Sequence, residues 1–267
     1  MIASNDNAKV KNVRELNSKH KARVTQSLFV VEGVKMCMEA PTDRINRVFV
    51  SESFYQDADN RKALEEKSPY FVDGDKLFVV KDSIFEGMCD TKTPQGILTV
   101  VEMKGTSFDE LFESDKAPFI MILESIQDPG NLGTIIRTAE GAGVTGIIIN
   151  DTTVDLYNPK TIRSTMGSLY RMKIYESKNL KETVDELKKR GITTYAAHLK
   201  GKEFYYEKSY KGPVAFMIGN EGNGLTDELS DMADTYIKIP MEGSVESLNA
   251  GVAASVLMYE TLRQRKG

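Results

Sequence analysis

The sequence predicts an α/β protein with two domains, a smaller one over residues 1–104 and a larger one over residues 117–267. After residue 117, short apolar runs alternate with helical patterns. This alternation is typical of a mostly parallel sheet that is covered by helices on both faces. Strands and helices are also mixed before residue 104. A chain of 267 residues is long enough for both domains to bury a core.

In the smaller domain, apolar runs bounded by polar residues or proline define the expected elements. Strands are expected at 28–31, 45–50, 70–72 and 96–101, and helices at 10–17, 34–40, 57–67 and 83–89. Pro41 would end the second of these helices. The polar segment Met103–Lys116 is expected to connect the two domains, with one helical turn near Phe108.

The larger domain is expected to alternate throughout. Strands are predicted at 119–123, 146–149, 171–175, 193–197, 214–218 and 236–239, and helices at 132–142, 158–167, 179–190, 225–231 and 247–264. In an open sheet of this kind, ligands bind beyond the carboxyl ends of the strands. The strand ends are therefore the first place to look for a site.

Composition restricts the class of protein. Cys37 and Cys89 fit no metal spacing and no disulfide framework, and no apolar run approaches membrane-spanning length. The N-terminus has no apolar signal region. A cytoplasmic protein without a metal ion and without a membrane partner is expected.

The net charge of −4 is unevenly distributed. Residues 1–23 hold six lysines and arginines against Asp6 and Glu15, a local balance of +4, which leaves −8 for the remainder. A basic N-terminal arm is predicted, either as a phosphate-binding element or as a solvated tail. The six cations are Lys9, Lys11, Arg14, Lys19, Lys21 and Arg23.

Three polar turns follow apolar strands in the larger domain. They are Asp128–Gly133, with Arg137 further along the same helix, Gly219–Gly224, and the stretch from Ile239 to Asn249. Glycine lets a ligand approach the backbone closely. The Gly219–Gly224 turn lacks the lysine of a phosphate loop, and its Glu221 would repel a phosphate. These turns therefore favour a ligand that is recognised by its polar edges, such as an adenosine.

The three blocks in this order resemble the signature motifs of the SpoU (TrmH-type) RNA 2′-O-methyltransferases of the SPOUT class. The resemblance covers residues 117–265. It implies a C-terminal trefoil knot, S-adenosylmethionine as the cofactor, RNA as the substrate and a homodimer. The stretch from Lys19 to Gly33 resembles the start of the accessory domain of many such enzymes, which implies an L30e-like RNA-binding domain over residues 1–104.

The resemblance also assigns roles to individual residues. The catalytic group would contain Asn131, Arg137, Glu221, Ser247 and Asn249, and the cofactor site would contain Ile218, Gly219, Asn220, Ile239, Met241 and Leu248. Asn131 would orient Arg137, and Glu221 would fix either Arg137 or the loop. From residue type alone, Asn131 and Ser247 are also expected as N-caps, Glu221 as an exposed turn carboxylate and Met241 as a core residue.

The nature of the general base stays open. The two histidines, His20 and His198, lie outside the motifs. An arginine is a poor proton acceptor, so Arg137 is expected to stabilise the developing alkoxide and to bind a phosphate, while the proton leaves through a phosphate or water. Lys160 and Arg163 are either further phosphate contacts or ordinary charged residues of a helix surface.

Ribosomal RNA, in particular that of the large subunit, is the expected substrate, because an accessory domain of this size resembles the ribosomal-RNA enzymes. Transfer RNA and a non-catalytic RNA-binding role are the alternatives, and resistance to ribosome-targeting antibiotics is a further possibility. A dinucleotide-dependent oxidoreductase is disfavoured, because no Gly-x-Gly-x-x-Gly opens a helix after an early strand.

Overall fold

The computed structural model describes residues 1–67 and 75–267, which form two compact units. The first unit contains residues 1–104 and 157–170, and the second contains residues 105–156 and 171–267. The predicted strand at Tyr70–Val72 lies outside the described residues.

The first unit is built on a four-stranded sheet. Its strands are β1 (Leu28–Glu32), β2 (Ile45–Ser51), β3 (Leu77–Val80) and β4 (Ile97–Glu102), in the order β1-β4-β2-β3. Strand β4 is antiparallel to both β1 and β2, and β2 and β3 are parallel. The helices are α1 (Ala8–Ser18), α2 (His20–Gln26), α3 (Val34–Glu39), α4 (Glu52–Gln56), α5 (Ala58–Lys67) and α6 (Asp82–Glu86).

The N-terminal residues do not form an arm, so this prediction is wrong. Helix α1 buries Val10, Val13 and Leu16 against the core of the first unit. The Arg23 side chain is only 4% exposed and donates hydrogen bonds to the backbone oxygens of Leu16 and Asn17. The helix predicted at 10–17 is present as α1, but its charges did not reveal that its apolar residues pack in the core.

The second unit contains a seven-stranded sheet in which every neighbouring pair is parallel. Its strands are β5 (Phe119–Leu123), β6 (Gly146–Asn150), β7 (Ile174–Ser177), β8 (Thr193–Ala197), β9 (Glu203–Phe204), β10 (Val214–Ile218) and β11 (Thr235–Lys238). The order is β7-β6-β5-β10-β8-β11-β9. The predicted mostly parallel α/β sheet is confirmed, and β9 is a strand that the sequence did not indicate.

Helices cover both faces of this sheet. They are α7 (Pro129–Ala142), α9 (Leu180–Lys189), α10 (Asp227–Ser230) and α11 (Ala250–Lys266). Helices α7 and α11 share one core, which contains Ile135 and Leu257, whereas α9 and α10 share the other core, which contains Val184 and Leu229. The connection at Asp109–Phe112 is a single 3-10 turn, as predicted.

Helix α8 (Pro159–Thr165) lies between β6 and β7 in the sequence but belongs to the first unit. Tyr157 packs on Phe29 with ring centroids 4.7 Å apart, and the Tyr170 hydroxyl donates to the backbone oxygen of Met36 at 3.1 Å. A helix near 158–167 was predicted, but its association with the first unit was not.

Candidate functional site

The site begins where β5 ends and α7 starts. Asp128 is the N-cap of α7, since its carboxylate accepts a hydrogen bond from the Asn131 backbone N–H at 2.9 Å. Pro129 occupies the first turn, where a missing N–H costs nothing. Asn131 is therefore not the N-cap that residue type alone suggested. Its side chain is left to bond outside the helix.

Glu221 joins the loop after β10 to this turn. Its carboxylate accepts hydrogen bonds from the backbone N–H groups of Gln127 and Asp128, both at 3.0 Å, and from Asn131 Nδ2 at 2.9 Å. Burial would raise the pKa of Glu221, but these hydrogen bonds favour the charged form and lower the pKa below its ordinary value. Glu221 is thus a fixed anion and not a free turn carboxylate.

Asn249 extends the chain of hydrogen bonds into the last helix. Asn249 Nδ2 donates to Asn131 Oδ1 at 2.9 Å, and its own Oδ1 accepts from the backbone N–H groups of Gly251 and Val252 at 2.9 and 3.2 Å. Asn249 is therefore the N-cap of α11. The predicted N-cap role of Ser247 is wrong, because α11 begins at Ala250. Ser247 is an exposed residue of the preceding loop.

The glycine-rich loop after β10 closes on itself. The backbone groups of Asn220 and Gly224 exchange two hydrogen bonds at 3.0 and 2.9 Å. Asn220 Oδ1 accepts from the Gly222 and Asn223 N–H groups, and Asn220 Nδ2 donates to the backbone oxygen of Ser125 at 2.8 Å. One asparagine side chain thus shapes the loop and ties it to the end of β5.

A buried carboxylate holds the far end of this loop. Glu124, which is 9% exposed, accepts hydrogen bonds from the backbone N–H and the hydroxyl of Thr226, both at 2.8 Å. Ser125, the next residue, has a φ of +56°, a conformation that L-residues seldom adopt. Its N–H donates to Asn150 Oδ1 at 2.9 Å, which helps to hold it there.

A cavity of about 290 Å³ lies between the loops that follow β8, β10 and β11. The structure gathers around it every residue that the resemblance assigned to the cofactor, together with Glu221 and Ser247. The six are Ile218, Gly219, Asn220, Ile239, Met241 and Leu248.

Sequence reasoning missed several residues of this cavity. His198 and Leu199 follow β8, Lys238 ends β11, and Glu246 lies in the loop before α11. His198 was set aside because it lay far from any motif. Its position after the predicted strand 193–197 could have indicated the cavity, since the carboxyl ends of parallel strands meet at one edge of the sheet. Burial, with the nearby charge of Lys200, lowers the pKa of His198 below its ordinary value.

The lining is suitable for an adenosine-containing sulfonium. Ile218, Leu225 and Ile237 give apolar walls, and the loop backbone offers N–H and C=O groups at their edge. Glu221 and Glu246 place negative charge on the lining, which favours a cationic ligand. The volume is close to the lower end of the range for small-molecule sites, about 300 Å³.

Arg137 lies on α7 and is exposed. Among residues 1–67 and 75–267, no hydrogen bond or ion pair engages its guanidinium, so the predicted contacts with Asn131 and Glu221 are not present. Asn131 is instead bonded to Glu221 and Asn249. The planar donor fork of Arg137 is available to an external anion.

Arg163 is engaged elsewhere. Its guanidinium forms an ion pair with Asp90 at 2.7 Å inside the first unit. Lys160 is also not free of protein contacts. In the part of the chain that the structure describes, no cluster of His, Cys, Asp or Glu could hold a metal ion, and no helix has the length and apolar character needed to cross a membrane.

The fold and the site define an α/β protein with a glycine-rich ligand cavity at the carboxyl edge of a parallel sheet. Comparison with known proteins identifies the family. Residues 118–259 match the model of the SpoU rRNA Methylase family, and residues 7–99 match a model described as the MRM3-like substrate binding domain. The chain belongs to the SpoU rRNA Methylase family, as the motifs predicted.

Relatives match along almost the whole chain. The 23S rRNA (guanosine(2553)-2′-O)-methyltransferase RlmP of Bacillus subtilis is 33% identical over 259 residues, which are 97% of each protein. The AdoMet-bound rRNA methyltransferase of Sinorhizobium meliloti is 29% identical, with a TM-score of 0.85 over 98% of this chain and 97% of that one. The SpoU methyltransferase AviRb of Streptomyces viridochromogenes, in complex with AdoMet, is 25% identical, with a TM-score of 0.86 and coverages of 98% and 99%.

Proposed function

We propose that this protein transfers the methyl group of S-adenosylmethionine to a ribose 2′-hydroxyl of ribosomal RNA, and that the site described above carries out the transfer. The reaction class and the cofactor predicted from the motifs are confirmed by the family match, the RlmP relative and the AdoMet-bound structures. The observation that carries the assignment of the site is the chain of hydrogen bonds Glu221–Asn131–Asn249 beside the cavity.

Large-subunit ribosomal RNA is the proposed substrate. The support is the RlmP relative, whose name specifies a guanosine of 23S rRNA and which matches the chain over 97% of both lengths. Transfer RNA is the alternative substrate, because other relatives are named as tRNA/rRNA methyltransferases. These relatives match only 64% of the chain, so they give weaker support. We also propose a cytoplasmic location, which is consistent with this substrate and with the free thiols of Cys37 and Cys89.

The cofactor supplies the activated methyl group, and the chain's own residues position the two reactants. The 2′-oxygen forms a bond to the methyl carbon as the carbon–sulfur bond breaks, and the hydroxyl proton leaves to water or to a phosphate of the substrate. Arg137 donates hydrogen bonds to the developing alkoxide and to an adjacent phosphate. Its exposed, unpaired guanidinium suits this role.

Asn131, Glu221 and Asn249 act as positioning residues. Glu221 and Asn131 join the cavity loop to the N-terminus of the helix that bears Arg137, and Asn249 joins both to α11. Orientation of reacting groups contributes about 7–11 kcal/mol in favourable cases. Ser247, which lies on the cavity lining, is assigned to substrate or cofactor contact.

The trefoil knot is proposed for the C-terminal part of the second unit. After β10 the chain passes α10 on one face of the sheet, forms β11 beyond β8, and returns to the opposite face as α11 beside β10. The loops 219–225 and 239–248 then line the same cavity. Such a path brings the last helix back across the loop that follows β10.

A homodimer through α11 is also proposed. Val252 and Tyr259 are 48% and 53% exposed on this helix, although surface helices ordinarily place polar residues on their exposed face. Light scattering at micromolar protein concentration tests this proposal. A monomer would contradict it, and Val252→Arg is expected to shift a dimer toward monomer.

The first unit is proposed to be an L30e-like domain that selects the RNA, in line with the substrate-binding family model over residues 7–99. Deletion of residues 1–104 is a poor test of this role. Residues 157–170, with Tyr157 against Phe29 and Arg163 against Asp90, would lose their packing partners. Point substitutions in the full chain are preferable.

The reaction is tested with labelled S-adenosylmethionine and ribosomal RNA from a strain that lacks the gene. The label should appear on a ribose, and the next phosphodiester bond should resist alkaline cleavage. Label recovered on a base would contradict the proposed reaction. Transfer RNA as an equal or better substrate would refute the choice of ribosomal RNA only.

A further inference from the structure

Two stacked aromatic side chains lie at the free edge of the large sheet. The rings of Phe204 and Tyr206 have centroids 5.4 Å apart and an interplanar angle of 21°. Tyr206 is 50% exposed, so its ring is accessible from solvent. Phe204 ends β9, the outermost strand of the sheet on that side. We name Phe204 and Tyr206 the aromatic platform.

The charge around the aromatic platform is positive. The Lys238 ammonium lies 5.1 Å from the centre of the Phe204 ring, and Lys202 is exposed two residues before Phe204. Neither lysine forms an ion pair with a described carboxylate. Glu203 pairs with Lys208, whereas Glu207 accepts the Phe204 N–H at 2.7 Å and keeps its negative charge, so the two lysines exceed the uncompensated acid by one charge. Two lysines that form no ion pair with a described residue thus lie beside the aromatic pair on a chain of net charge −4.

The aromatic platform and the cavity both lie at the carboxyl ends of the strands. Strand β9 is parallel to β11, with Phe204 opposite Lys238, and Lys238 also lines the cavity. From β5, which leads into the helix of Arg137, the sheet order runs through β10, β8 and β11 to β9. Four strand spacings correspond to about 19 Å. The platform is therefore too far away to touch the reacting ribose.

We propose that the aromatic platform stacks an unpaired base of the RNA substrate, a few nucleotides from the methylated ribose, while Lys202 and Lys238 contact its phosphates. Exposed aromatic rings with adjacent cations are the elements that bind single-stranded nucleic acid. The inference rests on the proposed function, because RNA must approach this edge of the sheet for the reaction. It assigns to β9 a role in holding the substrate and none in the chemistry.

The first test is affinity. Tyr206→Ala should raise the Kd for the RNA by about 5- to 150-fold, the range for loss of one base–aromatic stack. The Kd for S-adenosylmethionine and the kcat at saturating RNA should not change. Tyr206→Phe, which keeps the ring, should behave as wild type. Lys202→Ala should reduce the salt dependence of RNA binding, whereas Lys189→Ala, at the end of α9, should not.

The second test uses the absence of tryptophan from the chain. Tyr206→Trp places a single indole on the aromatic platform, and stacking of a base on it should quench its fluorescence as RNA is added. An unchanged RNA affinity in Tyr206→Ala, or no quenching in an active Tyr206→Trp enzyme, overturns the inference. So does a change of oligomeric state in Tyr206→Ala, which would make this surface a protein contact.

These outcomes are separable from failure of the proposed function. If the wild-type protein binds S-adenosylmethionine but methylates no ribosomal or transfer RNA, the proposed reaction fails. If wild type methylates RNA and Tyr206→Ala does so with the same KM, only the inference about the aromatic platform fails.

Discussion

Substitution of Gly219 by alanine should greatly weaken cofactor binding. A Cβ atom at this position would meet the backbone of Gly224 and Leu225 well inside 3.0 Å, a distance that real Cβ atoms essentially never cross. These atoms belong to the closed turn in which Asn220 and Gly224 exchange two hydrogen bonds. Since the obstacle is backbone, no change of rotamer can relieve it, and the turn must open.

The free-energy cost of Gly219→Ala can be estimated from the hydrogen bonds that are lost and from the overpacking. Opening the turn sacrifices two backbone hydrogen bonds, each with a net value of about 1 kcal/mol. Overpacking adds about 1–3 kcal/mol. A total of about 3–5 kcal/mol in the loop that lines the cavity corresponds to a rise of about 150- to 5,000-fold in the Kd for S-adenosylmethionine, because the loop must close to bind.

Gly222→Ala is the matched control within the same loop. Its Cβ would meet only Asn220 Oδ1 at 3.5 Å, an ordinary van der Waals contact, so binding should stay close to wild type. Isothermal titration calorimetry measures both variants, with circular dichroism to verify that they are folded. A folded Gly219→Ala protein whose Kd lies within about three-fold of wild type would refute the reasoning.

Three further predictions concern the remaining site residues. Arg137→Ala should lower kcat by about 10²- to 10³-fold while calorimetry shows unchanged cofactor binding, and Arg137→Lys should not restore turnover, because a point charge cannot replace the planar fork. Asn249→Ala should cost about 1 kcal/mol of unfolding free energy, measured as a drop in Tm of about 2–4 °C, whereas Ser247→Ala, outside the helix, should leave Tm unchanged. The pKa of His198 is lowered, so its imidazole is neutral at pH 7 and gains a positive charge in the cavity only as pH falls below about 6.5. A charged imidazole would repel the cationic sulfonium, so the affinity for S-adenosylmethionine should fall in that acid range in wild type but not in His198→Asn. Equal pH profiles of the Kd in the two proteins would exclude this electrostatic effect.

Much of the second unit could be predicted from the sequence. Strands β5, β8 and β10 have the predicted bounds. Strands β5 and β10 are short, wholly apolar runs that begin after a proline, as strands buried on both faces often are, whereas β8 begins with two threonines. Strand β9 was missed since two residues give no periodicity, and their pairing with β11 is a tertiary event. For the same reason no local pattern indicated that residues 157–170 pack in the first unit.

The site residues were identified by motif, but their contacts were not. Motif matching placed Asn131 and Glu221 near Arg137, because all three are family positions. In the structure the two residues bond to each other, and Arg137 is left exposed. Spacing along the chain shows which residues meet on a helix, but it cannot show which partner a side chain takes from a loop 90 residues away.

In this site Glu221 holds the cavity loop in place, and Arg137 stays available for the substrate. Glu221 is an exposed anion whose charged form is stabilised by three hydrogen bonds, so it can hold the cavity loop on the N-terminus of α7 without a cation. If Arg137 neutralised Glu221, its guanidinium would be tied up and could not bind the substrate. Because an asparagine and two backbone N–H groups satisfy the carboxylate instead, the arginine is left uncommitted for the alkoxide and the phosphate. Glu221→Gln should therefore weaken loop closure and cofactor binding, whereas Arg137→Ala should leave both intact.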